Sequence, residues 1–179
     1  RVIFDGVTKT FEENVALTRE CVLYARSKSS GVLIEAELGF IGQSSKILDE
    51  IPVGVDLEKG LTTPEQAQQF VKETGVDLFA PAVGNIHGMM RVVKDPHLDI
   101  KRIDKIRKAS GIPLVLHGGS GTPDEDFVKA IDAGVSIIHI STELRVAYRN
   151  ALKLSLQQNP EEVVPYKYLK EAVLAVEKV

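Results

Sequence analysis

The chain predicts an α/β fold on a parallel sheet, and three observations carry that expectation. Short runs rich in Val, Ile and Leu recur along all 179 residues. Amphipathic, capped helical segments separate them, and a polar side chain stands at or just past the end of each run: Asp5, Glu37, His87, His117 and Ser141. Buried β-runs alternating with helices imply right-handed β–α–β crossovers. An open doubly wound sheet and a (β/α)8 barrel both satisfy this alternation. The barrel is favoured because barrel chemistry gathers at the C-terminal ends of strands, and because a Gly-rich turn follows the penultimate strand. Five strand candidates fall short of eight, so the chain is expected to be the C-terminal part of something longer.

Each element has a local reason. Val2-Ile3-Phe4-Asp5-Gly6 is a short strand, and a helix is expected from Phe11 to about Ser27, with Thr10 and Glu13 at capping-box spacing. Val32 to Gly39 is the second strand. Residues 40–61 lack periodicity and are expected to form a long functional or mobile loop. Thr63-Pro64-Glu65-Gln66 opens a helix with a Thr cap and Pro at its first position, and that helix closes at Gly75. Strand 78–86 leads to His87, a helix runs from about Leu98 to Ala109, and strand 112–116 leads to His117. Thr122-Pro123-Asp124-Glu125 repeats the cap pattern. Strand 135–141, a helix from Thr142 to about Gln157 and a last helix from Tyr166 to Val179 complete the series.

Composition narrows the function. The net charge is −3 and the Lys and Arg residues form no basic stripe, which speaks against nucleic acid as a partner. Apolar residues make up 44%, enough for one core without disorder. No run approaches the ~18 apolar residues of a membrane span, so no membrane partner is expected. Cys21, the single cysteine, excludes an internal disulfide and fits a reducing, cytoplasmic compartment. It is expected to be a small core residue.

His87 and His117 are the most informative residues. Each ends an apolar run and is followed at once by glycine, thirty positions apart. One buried histidine is commonly structural, but two at equivalent strand ends point to a shared metal, with zinc favoured by imidazole donors. Glu35 and Glu37 flank Ala36 and so share one face of their strand. Carboxylates on an inward face are costly unless they meet a cation or donors. Asp5 holds the same position on the first strand. Gly118-Gly119-Ser120-Gly121, with a helix start just beyond, is a candidate phosphate cradle. His139 and Ser141 point the same way, with Thr142 next, where hydroxyls serve either an anion or a helix cap. His97, in the Asp95-Pro96-His97 loop, is expected to be solvated.

In combination and order, these motifs resemble the class II, zinc-dependent ketose-bisphosphate aldolases. The resemblance rests on Phe4-Asp5-Gly6 with Phe11-Glu12-Glu13-Asn14, Glu35-Ala36-Glu37-Leu38-Gly39 and Gly84-Asn85-Ile86-His87-Gly88, then Leu116 to Gly121 and Ser141-Thr142-Glu143-Leu144. It implies a (β/α)8 barrel of which residues 1–179 supply about strands four to eight, the C-terminal portion of a single domain. It also implies zinc as cofactor, with His87, His117, Glu37 and Asp5 at the metal, and a third histidine and the catalytic aspartate lying upstream of Arg1. Gly88, Gly118, Gly119, Ser120, His139, Ile140, Ser141 and Thr142 are implied to bind substrate. The implied reaction is reversible cleavage of fructose 1,6-bisphosphate, or its tagatose epimer, to dihydroxyacetone phosphate and glyceraldehyde 3-phosphate. Zinc would polarise the ketone. A cytoplasmic homo-oligomer acting on a sugar phosphate is implied as well. Two departures stand out: Gln43-Ser44-Ser45-Lys46 occupies a loop that carries acidic residues in the family, and His139 replaces an asparagine. They keep open a non-catalytic aldolase-like subunit. A phosphate-binding barrel enzyme without metal is a third reading.

Overall fold

A computed structural model describes residues 1–91 and 96–179. Five strands form one parallel sheet in the order β1-β2-β4-β6-β7: β1 (Val2–Phe4), β2 (Ile34–Leu38), β4 (Leu78–Pro81), β6 (Leu114–Leu116) and β7 (Val135–Ile138). Every new strand adds to the same edge. A doubly wound sheet must reverse its order at a switch point, and these strands never do. Right-handed crossovers therefore put all the connecting helices on one side, as the arc of a β/α barrel requires.

The two faces of the sheet divide the labour by period-two alternation. Ile34, Ala36 and Leu38 face the helices, where they join Phe70, Phe79, Ile103, Ile106 and Leu114 in the main core. Leu78, Ala80 and Val115 form a smaller apolar cluster that Ile137 caps. Glu35 and Glu37 both turn away from the helices, which is why they meet the same histidine. Around the sheet lie α1 (Phe11–Lys28), α2 (Pro64–Thr74), α3 (Ile100–Ser110), α4 (Asp124–Asp132) and α5 (Thr142–Gln158), followed by α6 (Pro165–Tyr168) and α7 (Lys170–Glu177).

The predicted capping boxes at Thr10/Glu13 and Thr63/Gln66 are both formed, and α2 closes on Gly75 in the left-handed conformation. Other expectations need correction. Strand 78–86 stops at Pro81, because Val83 N bonds Asn85 Oδ1 and Gly84, at φ 103°, turns the chain. Thr122 caps nothing. Its amide donates to Gly119 O, Pro123 holds the N-cap position of α4 and its side chain has no donor or acceptor to give. The last helix is two helices that meet at Leu169. Residues 40–61 contain β3 (Ile47–Leu48), paired in parallel with β5 (Met89–Met90). Cys21 is half-buried and lines an apolar groove between β1 and α1 rather than the core. His97 is exposed but not simply solvated: its Nδ1 lies 2.9 Å from Oδ2 of buried Asp126, which also accepts from Leu98 N. Asp95 lies outside the described residues.

Candidate active site

The polar strand ends converge on a cavity of about 450 Å³. His117 sits at its floor, 7% exposed, with Nε2 2.7 Å from Glu35 Oε1 and Nδ1 3.2 Å from Glu37 Oε1. Burial alone would lower the pKa of this imidazole, but hydrogen bonds and charge from the two carboxylates outweigh it and push it up to about 9. Burial likewise acts to raise the pKa of Glu35, yet His117 and Arg1 hold it below the ordinary value. Protonated on both nitrogens, His117 donates one N–H to each of the two buried carboxylates.

His87 stands beside this group, its ring centroid 6.0 Å from that of His117. Nδ1 of His87 donates to Gly42 O at 2.8 Å, so Nε2 is the nitrogen left for another partner. Metal-binding histidines are typically oriented by such a carbonyl. The loops after β4 and β6 that carry the two rings are locked together, since Asn85 Nδ2 donates to His117 O at 2.9 Å. His139 completes a row of rings, 4.5 Å from His117, and its amide donates to Leu116 O. Burial and the neighbouring His117 charge lower the His139 pKa, against the opposing pull of Glu35. Glu35, His117 and His139 each offer one ligand atom, all within 4.8 Å of one another.

A divalent ion fits this chemistry. Two imidazoles sharing one tetrahedral zinc have ring centroids about 5 Å apart by ordinary bond lengths, close to the His87–His117 spacing. The mixed nitrogen and carboxylate donors suit zinc and its first-row neighbours. Asp5 also lines the cavity, with its Oδ1 accepting from Val7 N.

The glycine turn forms the adjoining wall. Gly118, at φ 63°, is obligatory, because a Cβ there would lie 2.1 Å from Ile86 O. Gly88, Gly118, Ser120, His139, Ser141 and Thr142 all line the cavity. Gly119 and Ile140 do not border it, and the Gly119 amide is committed to His139 O. The Ser141 side chain does not cap α5. Ser120 does so from the neighbouring loop, its Oγ accepting from Ser141 N at 3.1 Å and Glu143 N at 3.2 Å. With those acceptances filled, the hydroxyl proton remains to donate elsewhere. Gln43, Ser44 and Ser45 form the opposite wall and bring no carboxylate. Arg1 is a site residue that the sequence reading passed over. Its Nη1 is 3.1 Å from Glu35 Oε2 and its Nη2 is 2.8 Å from His139 Nε2. The alternation of Arg1, Ile3 and Asp5 was the available signal.

Fold and site together define a β/α-barrel protein whose strand ends gather histidines and carboxylates able to hold a metal ion. The family model described as "Fructose-bisphosphate aldolase class-II" matches residues 1–179. A fructose-bisphosphate aldolase of Geobacillus stearothermophilus is 38% identical over 169 residues, 94% of this chain and 55% of that protein. A probable fructose-bisphosphate aldolase of Bacillus subtilis is 37% identical, covering 99% and 59% respectively. Among solved structures, the YdjI aldolase of Escherichia coli K12 superposes with a TM-score of 0.74 at 32% identity, over 98% of this chain and 56% of that one. A putative fructose-1,6-bisphosphate aldolase of Coccidioides immitis gives 0.76 at 32% identity, over 98% and 58%. The chain belongs to the class II fructose-bisphosphate aldolase family, a family of carbon–carbon lyases, and spans a little over half the length of these relatives.

Proposed function

We propose that the protein takes part in the reversible aldol cleavage of a ketose 1,6-bisphosphate into dihydroxyacetone phosphate and glyceraldehyde 3-phosphate. Fructose 1,6-bisphosphate is the preferred substrate in this reading, with the tagatose epimer as the variant. One observation carries it: a histidine clasped by two buried carboxylates, beside a second histidine, opens onto the same cavity as the Gly118–Ser120 turn. In this reading the five-stranded arc supplies strands four to eight of one barrel domain, in keeping with the share of the solved structures that it covers.

Zinc is the proposed metal, with His87 and His117 as ligands and Glu37 and Asp5 as nearby carboxylates. Bound there, it supplies Lewis-acid polarisation of a ketone oxygen. The chain's own groups orient the substrate. Ser120 directs its hydroxyl proton to the phosphate, while Gly88 and Gly118 keep that wall free of side chains. Ser141 and Thr142 extend the donor surface at the start of α5, where the helix dipole favours an anion. Gly119 and Ile140 act through the backbone that holds this wall. Glu37 keeps His117 oriented, and Gly42 O does the same for His87. Fixing the three-carbon unit in this way lowers the entropic part of the barrier.

The non-catalytic alternative is not favoured, because the family and its similar relatives are named fructose-bisphosphate aldolases and His87 and His117 still flank the glycine turn. Among the described residues no helix is long and apolar enough to cross a membrane. A cytoplasmic location and a homo-oligomeric assembly complete the proposal. Exposed Leu154 and Leu156 on α5 offer apolar surface for self-association. The test is cleavage of fructose and tagatose 1,6-bisphosphates by the intact protein, before and after chelation and with zinc restored. Loss on chelation and recovery with zinc are expected, and His117→Ala should abolish cleavage. Full activity after chelation would overturn the metal reading, and no cleavage of either sugar would overturn the substrate.

A further inference from the structure

Behind the cavity, against Glu35 and His139, lies a cation that the proposed reaction does not use. The Arg1 guanidinium lies against Glu35 Oε2 through Nη1, at 3.1 Å, and against His139 Nε2 through Nη2, at 2.8 Å. Glu35 Oε2 is buried and has no hydrogen-bond partner, so Arg1 is its charge partner without being its donor. A guanidinium has only donors. At 2.8 Å from it, His139 Nε2 must be an acceptor, and the proton of the neutral ring therefore sits on Nδ1. His139 borders the cavity and Arg1 does not, so the edge turned away from Arg1 is the one available to it.

We propose that Arg1 is a positioning residue that fixes His139 as an Nδ1–H donor facing the cavity, there to meet a hydroxyl or carbonyl oxygen of the substrate. The recipient rests on the sugar-phosphate reading above; the tautomer does not. The competing role for His139 is as a metal ligand with Glu35 and His117, whose ligand atoms cluster within 4.8 Å. Arg1 argues against it. The guanidinium holds the lone pair of Nε2 and also neutralises Glu35, so a metal at that point would have to displace a cation already paired on both sides. His87 Nε2, freed by Gly42 O, is not obstructed in this way. A neutral histidine with acceptor and donor on opposite edges offers the same pair of functions as an asparagine amide.

The experiment is 15N NMR of the histidine ring nitrogens in the intact protein, with and without zinc. For His139, a protonated Nδ1 and an unprotonated Nε2 are expected, with that assignment kept when zinc is added. Arg1→Met should redistribute the proton between the two nitrogens, and Arg1→Lys, which keeps a pure donor, should restore it. A protonated Nε2 in the wild type, or ligation of His139 by added zinc, overturns the proposal. If Arg1→Met fails to fold, the wild-type spectrum and Arg1→Lys still decide it. In steady state, His139→Phe should raise KM about five- to tenfold, the cost of one hydrogen bond. Equal KM values for His139→Phe and wild type would remove the substrate contact. Absence of any ketose-bisphosphate cleavage would sink the functional reading and leave the tautomer measurement to stand on its own.

Discussion

The cavity has two walls of different construction. On one side, His117 and His139 line it with Glu35 and Glu37 buried behind them, all on or just beyond β2, β6 and β7, where parallel ladders fix the backbone beneath. On the other, Gln43, Ser44 and Ser45 belong to residues 40–61, which are tied down at separate points: the β3–β5 pairing, the His87–Gly42 bond and the Arg91–Asp49 pair at 2.6 Å. Charges on the strand wall are buried and mutually compensated, whereas the ion pair of the loop wall is exposed. The difference teaches that the metal-competent half of the site is set by the sheet, while the other half depends on tethers that water can compete for.

The largest expected effect comes from breaking the compensation on the strand wall. Glu35→Gln removes a fully buried carboxylate and leaves Arg1 and His117 facing an amide. Losing one partner of a buried pair typically costs about 3–5 kcal/mol. Urea unfolding should show a midpoint shift of that size. A loss below about 1 kcal/mol would mean that water reaches this floor and that the two walls are alike after all.

The glycines give the next contrast. Gly118→Ala places a methyl against the Ile86 carbonyl, a backbone atom that cannot move without disturbing His87. Gly88→Ala meets chiefly the Leu48 side chain, which can rotate away, with Lys46 O less close at 3.1 Å, though the Gly88 φ of 116° still penalises alanine. Both should destabilise, by roughly 1–3 kcal/mol for backbone strain alone, and Gly118→Ala by more. Thermal unfolding of the two variants side by side checks the order, and a reversed order would locate the rigid wall in the loop.

How much of this was legible in the sequence follows the same division. Strand identity could be read from the short apolar runs, and the shared facing of Glu35 and Glu37 from period-two alternation, which the ladder itself enforces. Capping boxes at Thr10 and Thr63 were legible because the cap and its reciprocal partner lie three residues apart. Thr122 carried the same letters, yet its amide was claimed by the Gly118–Gly121 turn, a competition that local spacing cannot reveal. The capping of α5 by Ser120 joins residues 21 positions apart, and the Arg1–His139 bond joins the two ends of the sheet. Such partners become neighbours only once the strands are ordered. Residues 40–61 gave no periodic signal because their structure consists of two-residue pairing and single tethers.

A smaller effect tests whether acid loosens the loops before it reaches the floor. Asp126 is buried in the first turn of α4, and burial acts to raise its pKa. Its bonds from His97 and Leu98 N outweigh that and hold it below the ordinary carboxylate value. A depressed carboxyl contributes stability at pH values above its unfolded pKa of about 3.9, and that contribution is lost as pH falls through the lower folded value. Asp126→Asn should therefore lower stability at neutral pH and flatten its dependence below about pH 4. Parallel acid titrations of variant and wild type would refute this role.

The smallest effect is expected where the loop wall is pinned by charge. Asp49→Asn cuts the short Arg91–Asp49 pair, but both side chains are more than half exposed. Exposed pairs contribute about 0.2–1 kcal/mol and are screened by salt, so global stability should scarcely change. The β3–β5 hydrogen bonds from Met89 N to Lys46 O and from Arg91 N to Leu48 O remain. What should change is local. Amide exchange of Met89 and Arg91 should quicken in the variant at low salt and converge with wild type at high salt, because screening weakens the pair in the wild type too. Unchanged exchange at low salt would show that backbone pairing alone holds Gln43–Ser45 over the cavity, and the two walls would then differ in burial but not in how firmly they are held.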